Sequence, residues 1–227
     1  MALILCVDTS SKNCSVSLSK DGIVIYTKEK LEEGYCHGEE LHSLIEDLFL
    51  DAKLEISQID AISFSSGPGS YTGLRIGAAT VKGLGIALNK KIVLVSTLKA
   101  MCWGFVNNEQ ENFINDANYF CSTLDSRQGE VYASIYDVLG NEILPPFACE
   151  VAKPTFINIL NTNKICFFGT GLYKLKNVIN HKNASFYDGF LPSSINLAFL
   201  AENTYNQKKF ADIAYFEPTY LKDFIAG

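Results

Sequence analysis

Ser63-Phe64-Ser65-Ser66-Gly67-Pro68-Gly69-Ser70-Tyr71-Thr72-Gly73-Leu74-Arg75-Ile76-Gly77 is the stretch on which the reading of the fold turns. A short apolar run ends at Ser65, and two glycines around a proline force a sharp turn. Ser70 and Thr72 then offer hydroxyls to cap a helix spanning roughly 73–88. That helix holds Gly73, Gly77, Gly83 and Gly85, each of which costs about 1 kcal/mol relative to alanine. Such a cost is tolerable where something must approach the helix closely. Gly73, Gly77, Thr80 and Leu84 share one stripe at three- and four-residue spacing, and a second helix backbone is expected against it.

Upstream of this stretch, residues 2–7 form a continuous apolar run, which reads as a buried strand. Cys14, Val16 and Leu18 alternate with Ser15, Ser17 and Ser19, the pattern of a half-buried strand. Asp21-Gly22 is a hairpin turn, and residues 23–26 return as a third strand. Leu41, Leu44, Ile45, Leu48 and Phe49 mark one face of an amphipathic helix, with Glu39 and Glu40 near its positive end. Residues 61–65 and 92–95 supply two more strands, and Thr97 opens another helix.

The second half repeats the order of elements without repeating the letters. Strands are expected at 119–124, at 130–136, from 142 and at 165–168. Helices are expected to open at Pro154, to run from about 171 to 179, and to span 194–205. Three strands in a meander, then helix, strand, helix, strand, occur twice. The expected fold is therefore α/β with mixed sheets, a two-lobed actin-like ATPase (ribonuclease H-like) architecture with a degenerate nucleotide site. The polar stretch 106–118 is the expected boundary, giving lobes 1–106 and 107–227, with the last helix free to pack back on the first lobe.

The chain has 227 residues, 48% of them apolar and 19% charged, enough for a real core. No apolar run approaches the roughly 20 residues that cross a bilayer, and the first eight residues lack a basic leader. Seven cysteines without a C-x-x-C pair point to reduced thiols in the cytoplasm. A net charge of −6 disfavours direct nucleic-acid binding, and Lys90-Lys91 and Lys208-Lys209 read as solvated ends of elements.

Several chemistries can be weighed from the residues. The glycine turn is no P-loop, because no Gly-Lys-Ser or Gly-Lys-Thr follows it. In the nucleotide-binding hairpins of the actin-like fold an acid is followed closely by glycine. Here Asp8-Thr9-Ser10-Ser11 keeps the acid and hydroxyls without the glycine, and Asp125-Ser126-Arg127 puts an arginine where space is needed. Asp8, Thr9, Ser10, Asp125 and Arg127 are thus degenerate nucleotide-facing positions. His37 and His42 are five residues apart, about 140° around a helix, so they cannot share a metal ion. Asp8 is one carboxylate at a strand end, while Asp60, Glu39 and Glu40 are badly placed for a two-metal nuclease. Cys6, Cys14 and Cys166 sit in strands, where thiols are usually inert. No catalytic residue, metal site or cofactor is expected.

The segment from Gly67 to Gly77, with Lys82-Gly83-Leu84 behind it, closely resembles the signature of the bacterial TsaB (YeaZ) family. Leu5-Cys6-Val7-Asp8-Thr9-Ser10, His37-Gly38-Glu39-Glu40-Leu41, Asp125-Ser126-Arg127-Gln128-Gly129-Glu130-Val131-Tyr132 and Glu217-Pro218-Thr219-Tyr220-Leu221 agree in order. The chain departs from the pattern at His42-Ser43, where Leu-Pro is usual. The resemblance implies a non-catalytic partner of TsaD in making threonylcarbamoyladenosine in tRNA. It places ATP and metal on TsaD and TsaE, has TsaE join the complex, and brings tRNA in only through that complex. It also implies that the first two helices dock on TsaD as a four-helix bundle, or pair as a homodimer when TsaD is absent. The expected contact residues are Leu41, Leu44, Ile45, Leu48, Tyr71, Gly73, Leu74, Gly77, Thr80, Val81 and Leu84. The rival reading is a stand-alone actin-like ATP-binding enzyme or a glycoprotease-like hydrolase.

Overall fold

The computed structural model describes residues 2–31, 37–108 and 116–222. It divides into two compact units, Met1–Ala100 with Pro192–Thr219, and Met101–Leu191 with Tyr220–Gly227. Pro192–Thr219 returns to the first unit and carries the last helix with it.

In the first unit, β1 (Leu3–Asp8), β2 (Asn13–Lys20) and β3 (Ile23–Leu31) form an antiparallel meander. Helix α1 (His37–Ala52) follows, then β4 (Ala61–Ser65), α2 (Tyr71–Ala87) and β5 (Lys91–Val95). The sheet order is β3-β2-β1-β4-β5, with β4 parallel to both β1 and β5. Period two sends Leu5 and Val7 to one face, where α1 and α2 bury Leu41, Leu48, Leu74 and Val81 with them. Ile4 and Cys6 go to the other face, packed with Val93, Val95, Ala100, Leu197 and Ala201. The helix over 198–206 (α6, numbered after those of the second unit) therefore belongs to this core. Lys28 pairs with Asp51 at 2.5 Å and Lys30 with Glu40 at 2.6 Å, which ties the edge strand β3 to α1.

Strand β2 differs from its expected half-burial. Ser15, Ser17 and Ser19 are all fully buried, because a 3-10 turn at Ser194–Leu197 covers the polar side of the alternation. Ser15 Oγ lies 2.7 Å from Ser194 Oγ and donates to Glu29 Oε1 at 2.7 Å, while Ser19 Oγ donates to Ile4 O. Hydrogen-bonded hydroxyls let Ser15 and Ser19 sit in a two-sided core, where alternation alone suggests a wet face, while Ser17 Oγ is buried there without a hydrogen-bond partner.

The second unit contains the end of α3 (Thr97–Asn108) and then β6 (Tyr119–Asp125), β7 (Glu130–Asp137), β8 (Glu142–Glu150) and β9 (Ile165–Gly169). Two short helices, α4 (Ile157–Leu160) and α5 (Leu172–Lys176), precede the edge strand β10 (Ala184–Tyr187), which has no clear signal in the sequence. The order is β10-β9-β6-β7-β8, with β9 parallel to β6 and β10 and the rest antiparallel. Read outward from its central strand, this is the order of the first sheet again. Phe167 packs with Phe156 and Leu172 on one face, and Phe168 stacks on Phe105 at 4.1 Å on the other. The duplicated mixed sheet is the actin-like, ribonuclease H-like architecture that the order of elements predicts.

Candidate partner-docking site

The turn between β4 and α2 is held from three directions. Ser70 caps the helix, its Oγ accepting from Gly73 N at 3.2 Å. Gly67 N donates to Thr97 Oγ1 at 3.1 Å, Thr97 N donates back to Gly67 O, and Thr219 N donates to Ser66 O at 2.7 Å. Gly67 has φ 110°, and a Cβ there would lie 2.7 Å from Thr219 O. Ser70 N donates to Ser10 O at 2.7 Å, and a Cβ on Gly69 would stand 2.4 Å from that same oxygen. Gly69→Ala is accordingly expected to cost about 1–3 kcal/mol, since backbone cannot move aside. Gly83→Ala, with nothing within 4 Å of the new methyl, is expected to stabilise. Its gain is about 0.5–1 kcal/mol. Urea midpoints of the two variants check both signs.

That packing bears on the nucleotide-facing positions. Asp8 is buried, and its Oδ1 accepts from Ser10 N at 2.8 Å and Ser10 Oγ at 2.6 Å. Thr9 Oγ1 donates to Gly73 O at 2.7 Å. The first hairpin turn thus spends its acid and hydroxyls on itself and on α2, and Gly69 lies against its backbone. In the second unit Asp125 pairs with Lys174 Nζ at 2.6 Å and accepts from Tyr173 Oη at 3.1 Å. Lys174 Nζ also donates to the carbonyls of Ser126, Arg127 and Glu130, at 3.0, 2.8 and 2.9 Å. A phosphate needs amide donors at such a turn, whereas here three carbonyls converge on an ammonium. The Arg127 side chain is exposed. Lys174 escapes a reading of the sequence, because it lies far along the chain on a short helix. Lys174→Met should destabilise the second unit by about 1.5–3 kcal/mol in chemical denaturation, as expected for lost hydrogen bonds to a charged group.

Among the described residues no group of three or more His, Cys, Asp or Glu could hold a metal ion. His42 is exposed, and the side chain of His37 lies outside the described residues. Asp60 accepts from Leu3 N at 2.7 Å and Glu40 pairs with Lys30, so these carboxylates do not converge with Asp8. Burial pushes the Cys6 thiol up to about 12 and that of Cys166 to about 11. Both are expected to resist alkylation at pH 8 in the native chain and to react once it is denatured. Mass spectrometry of the labelled protein reads this directly.

The expected contact residues are largely interior. Leu41, Leu44, Ile45 and Leu48 are buried in the first unit's own core, as are Leu74 and Val81, and Leu84 packs against that core. Gly73, Gly77 and Thr80 are buried as well. A Cβ on Gly77 would fall 2.3 Å from Thr9 Oγ1 and 2.6 Å from Phe64 Cε2. The close approach inferred from the glycines is therefore made by the chain's own β1–β2 turn and strand β4. Tyr71 is half-buried, with the Arg75 guanidinium 4.2 Å over its ring. The outward side of α2 carries Thr72, Arg75, Ala79, Gly83 and Ile86, again at three- and four-residue spacing. Ile86 is 70% exposed, and Leu50 on α1 is 67% exposed.

A family model described as TsaD: tRNA N6-adenosine threonylcarbamoyltransferase matches residues 34–224. The chain is 28% identical over 232 residues to the tRNA threonylcarbamoyladenosine biosynthesis protein TsaB of Haemophilus influenzae, covering 97% of this chain and 93% of that one. It is 27% identical to the Escherichia coli protein of the same name, covering 98% and 96%. The solved structure of YeaZ from Pseudomonas aeruginosa superposes with a TM-score of 0.78 at 25% identity, over 97% of this chain and 100% of that one. With a family match running from α1 to the C-terminal segment and whole-length relatives of the same name, the chain belongs to the TsaD family of tRNA N6-adenosine threonylcarbamoyltransferases, as a member of its TsaB (YeaZ) branch.

Proposed function

We propose that this chain is a non-catalytic subunit that docks on a TsaD-type threonylcarbamoyltransferase through the outward faces of α1 and α2, making it competent to modify tRNA. The observation that carries this is the outer stripe of α2. Ala79 and Gly83 leave the helix backbone bare at its middle, and Ile86 exposes most of its surface to water. Small residues at such spacing let a second helix approach closely, and an exposed isoleucine gains by being covered. The groups that could react are meanwhile bound within the chain: Asp8 by Ser10, and Asp125 by Lys174.

In this reading ATP and metal reside on TsaD and on TsaE, which joins the assembly, and tRNA is met through the complex. A net charge of −6 on this subunit agrees with that division of labour. Six of the cysteines are free and buried, as suits the cytoplasm. The same apolar stripe favours a homodimer when TsaD is absent. Light scattering across a concentration series tests that reading, and a monomer at every concentration would remove it. Titration calorimetry with magnesium-ATP should give no saturable heat with the isolated chain. Tight binding with turnover abolished by Asp8→Ala would instead favour a stand-alone enzyme.

A further inference from the structure

We infer that Thr9 is a positioning residue for the docking face of α2, its hydroxyl fixing the first turn of that helix; the inference rests on the docking reading above. Most of α2 is oriented by side chains pressed into the core, such as Leu74, Ala78 and Val81. Beside Leu74, the first two turns also turn Gly73 and Gly77 inward, and these have no side chain to grip the sheet. Thr9 supplies what they lack. Its side chain is fully buried, and its hydroxyl donates to Gly73 O at 2.7 Å. The same hydroxyl fills the notch at Gly77, 2.3 Å from where a Cβ would stand. The next residue repeats the grip, with Ser10 O accepting from Ser70 N at 2.7 Å. Two successive residues of the β1–β2 turn thus hold the cap residue of α2 and a carbonyl one turn further on. Thr72, Arg75 and Ala79 lie on the opposite side of that part of the helix. A partner helix seated over Ala79 and Gly83 needs the rotation of α2 about its axis to be set before it arrives.

The test compares Thr9→Val, which keeps the shape and loses the donor, with Thr9→Ser, which keeps the donor. Gly73 O retains its place in the helix ladder in both, so the fold should survive. Thr9→Ala serves if the added methyl crowds Gly77. Affinity for purified TsaD is expected to fall about tenfold in Thr9→Val and to stay within about twofold of wild type in Thr9→Ser. Amide exchange at residues 73–77 of the free chain should quicken about tenfold in the valine variant and recover in the serine variant. A purely structural role would lower the melting temperature without changing affinity at temperatures where the chain is folded. Wild-type affinity in the valine and alanine variants overturns the inference and leaves the docking reading standing. Equal losses in the serine and valine variants also overturn it, since the methyl would then be the active part. Failure of the wild-type chain to bind TsaD removes the docking reading, and the inference with it.

Discussion

Gly77→Leu is expected to prevent the first unit from folding, and Gly77→Ala to destabilise it by about 1–3 kcal/mol. The alanine methyl alone would come within 2.3 Å of Thr9 Oγ1 and 2.6 Å of the Phe64 ring. Neither neighbour can yield. Thr9 is pinned by its bond to Gly73 O, and Phe64 is fully buried in a central strand. Leucine adds three further carbons to a place without room for one. A glycine inside a helix normally weakens it by about 1 kcal/mol, so alanine would stabilise an open position. The sign of the change therefore distinguishes a helix pressed on its own sheet from one kept bare for a partner. Circular dichroism and urea titration of the alanine variant read it. An unchanged or raised midpoint would mean that the β1–β2 turn and β4 are not the surfaces against which Gly77 packs.

Ala79→Arg and Gly83→Arg should do the opposite: fold normally and lose TsaD. Both positions are exposed, and nothing lies within 4 Å of a Cβ at Gly83. In the free chain the guanidinium extends into water at little cost. In a helix-on-helix contact it is buried without a partner, and its bulk separates two backbones that pack at about 8–10 Å. The expected loss is at least about a hundredfold in affinity, equivalent to roughly 2.7 kcal/mol or more. Calorimetric titration into TsaD, with melting curves as controls, measures it. Ile86→Ser should give a smaller loss of the same kind, because it removes apolar area without adding an obstacle.

The order of elements was legible because each leans on local chemistry. Ser70 caps α2, Asp21-Gly22 turns the first hairpin at φ 55° and 77°, and the apolar runs at β1, β4 and β9 form buried central strands. Small residues stand on two stripes of α2, Gly73-Gly77-Thr80 and Ala79-Gly83, and periodicity cannot say which one meets the sheet. That is decided by Thr9 and Phe64, which reach the helix from other elements. The burial of Ser15 on β2 was hidden for a similar reason, since its partners Ser193 and Ser194 come from far along the chain. Lys174 shows the same limit. A lysine on a short helix carries no sign that the carbonyls of Ser126, Arg127 and Glu130 will gather around it.

Hydrogen exchange of the unaltered chain, free and mixed with purified TsaD, bears most directly on the central claim. New protection is expected along α1 and α2 over residues 37–52 and 71–87, with the hairpin turns at 8–12 and 125–130 unchanged. Protection at those two turns, with α1 and α2 exchanging as in the free chain, would contradict a docking face on the helices.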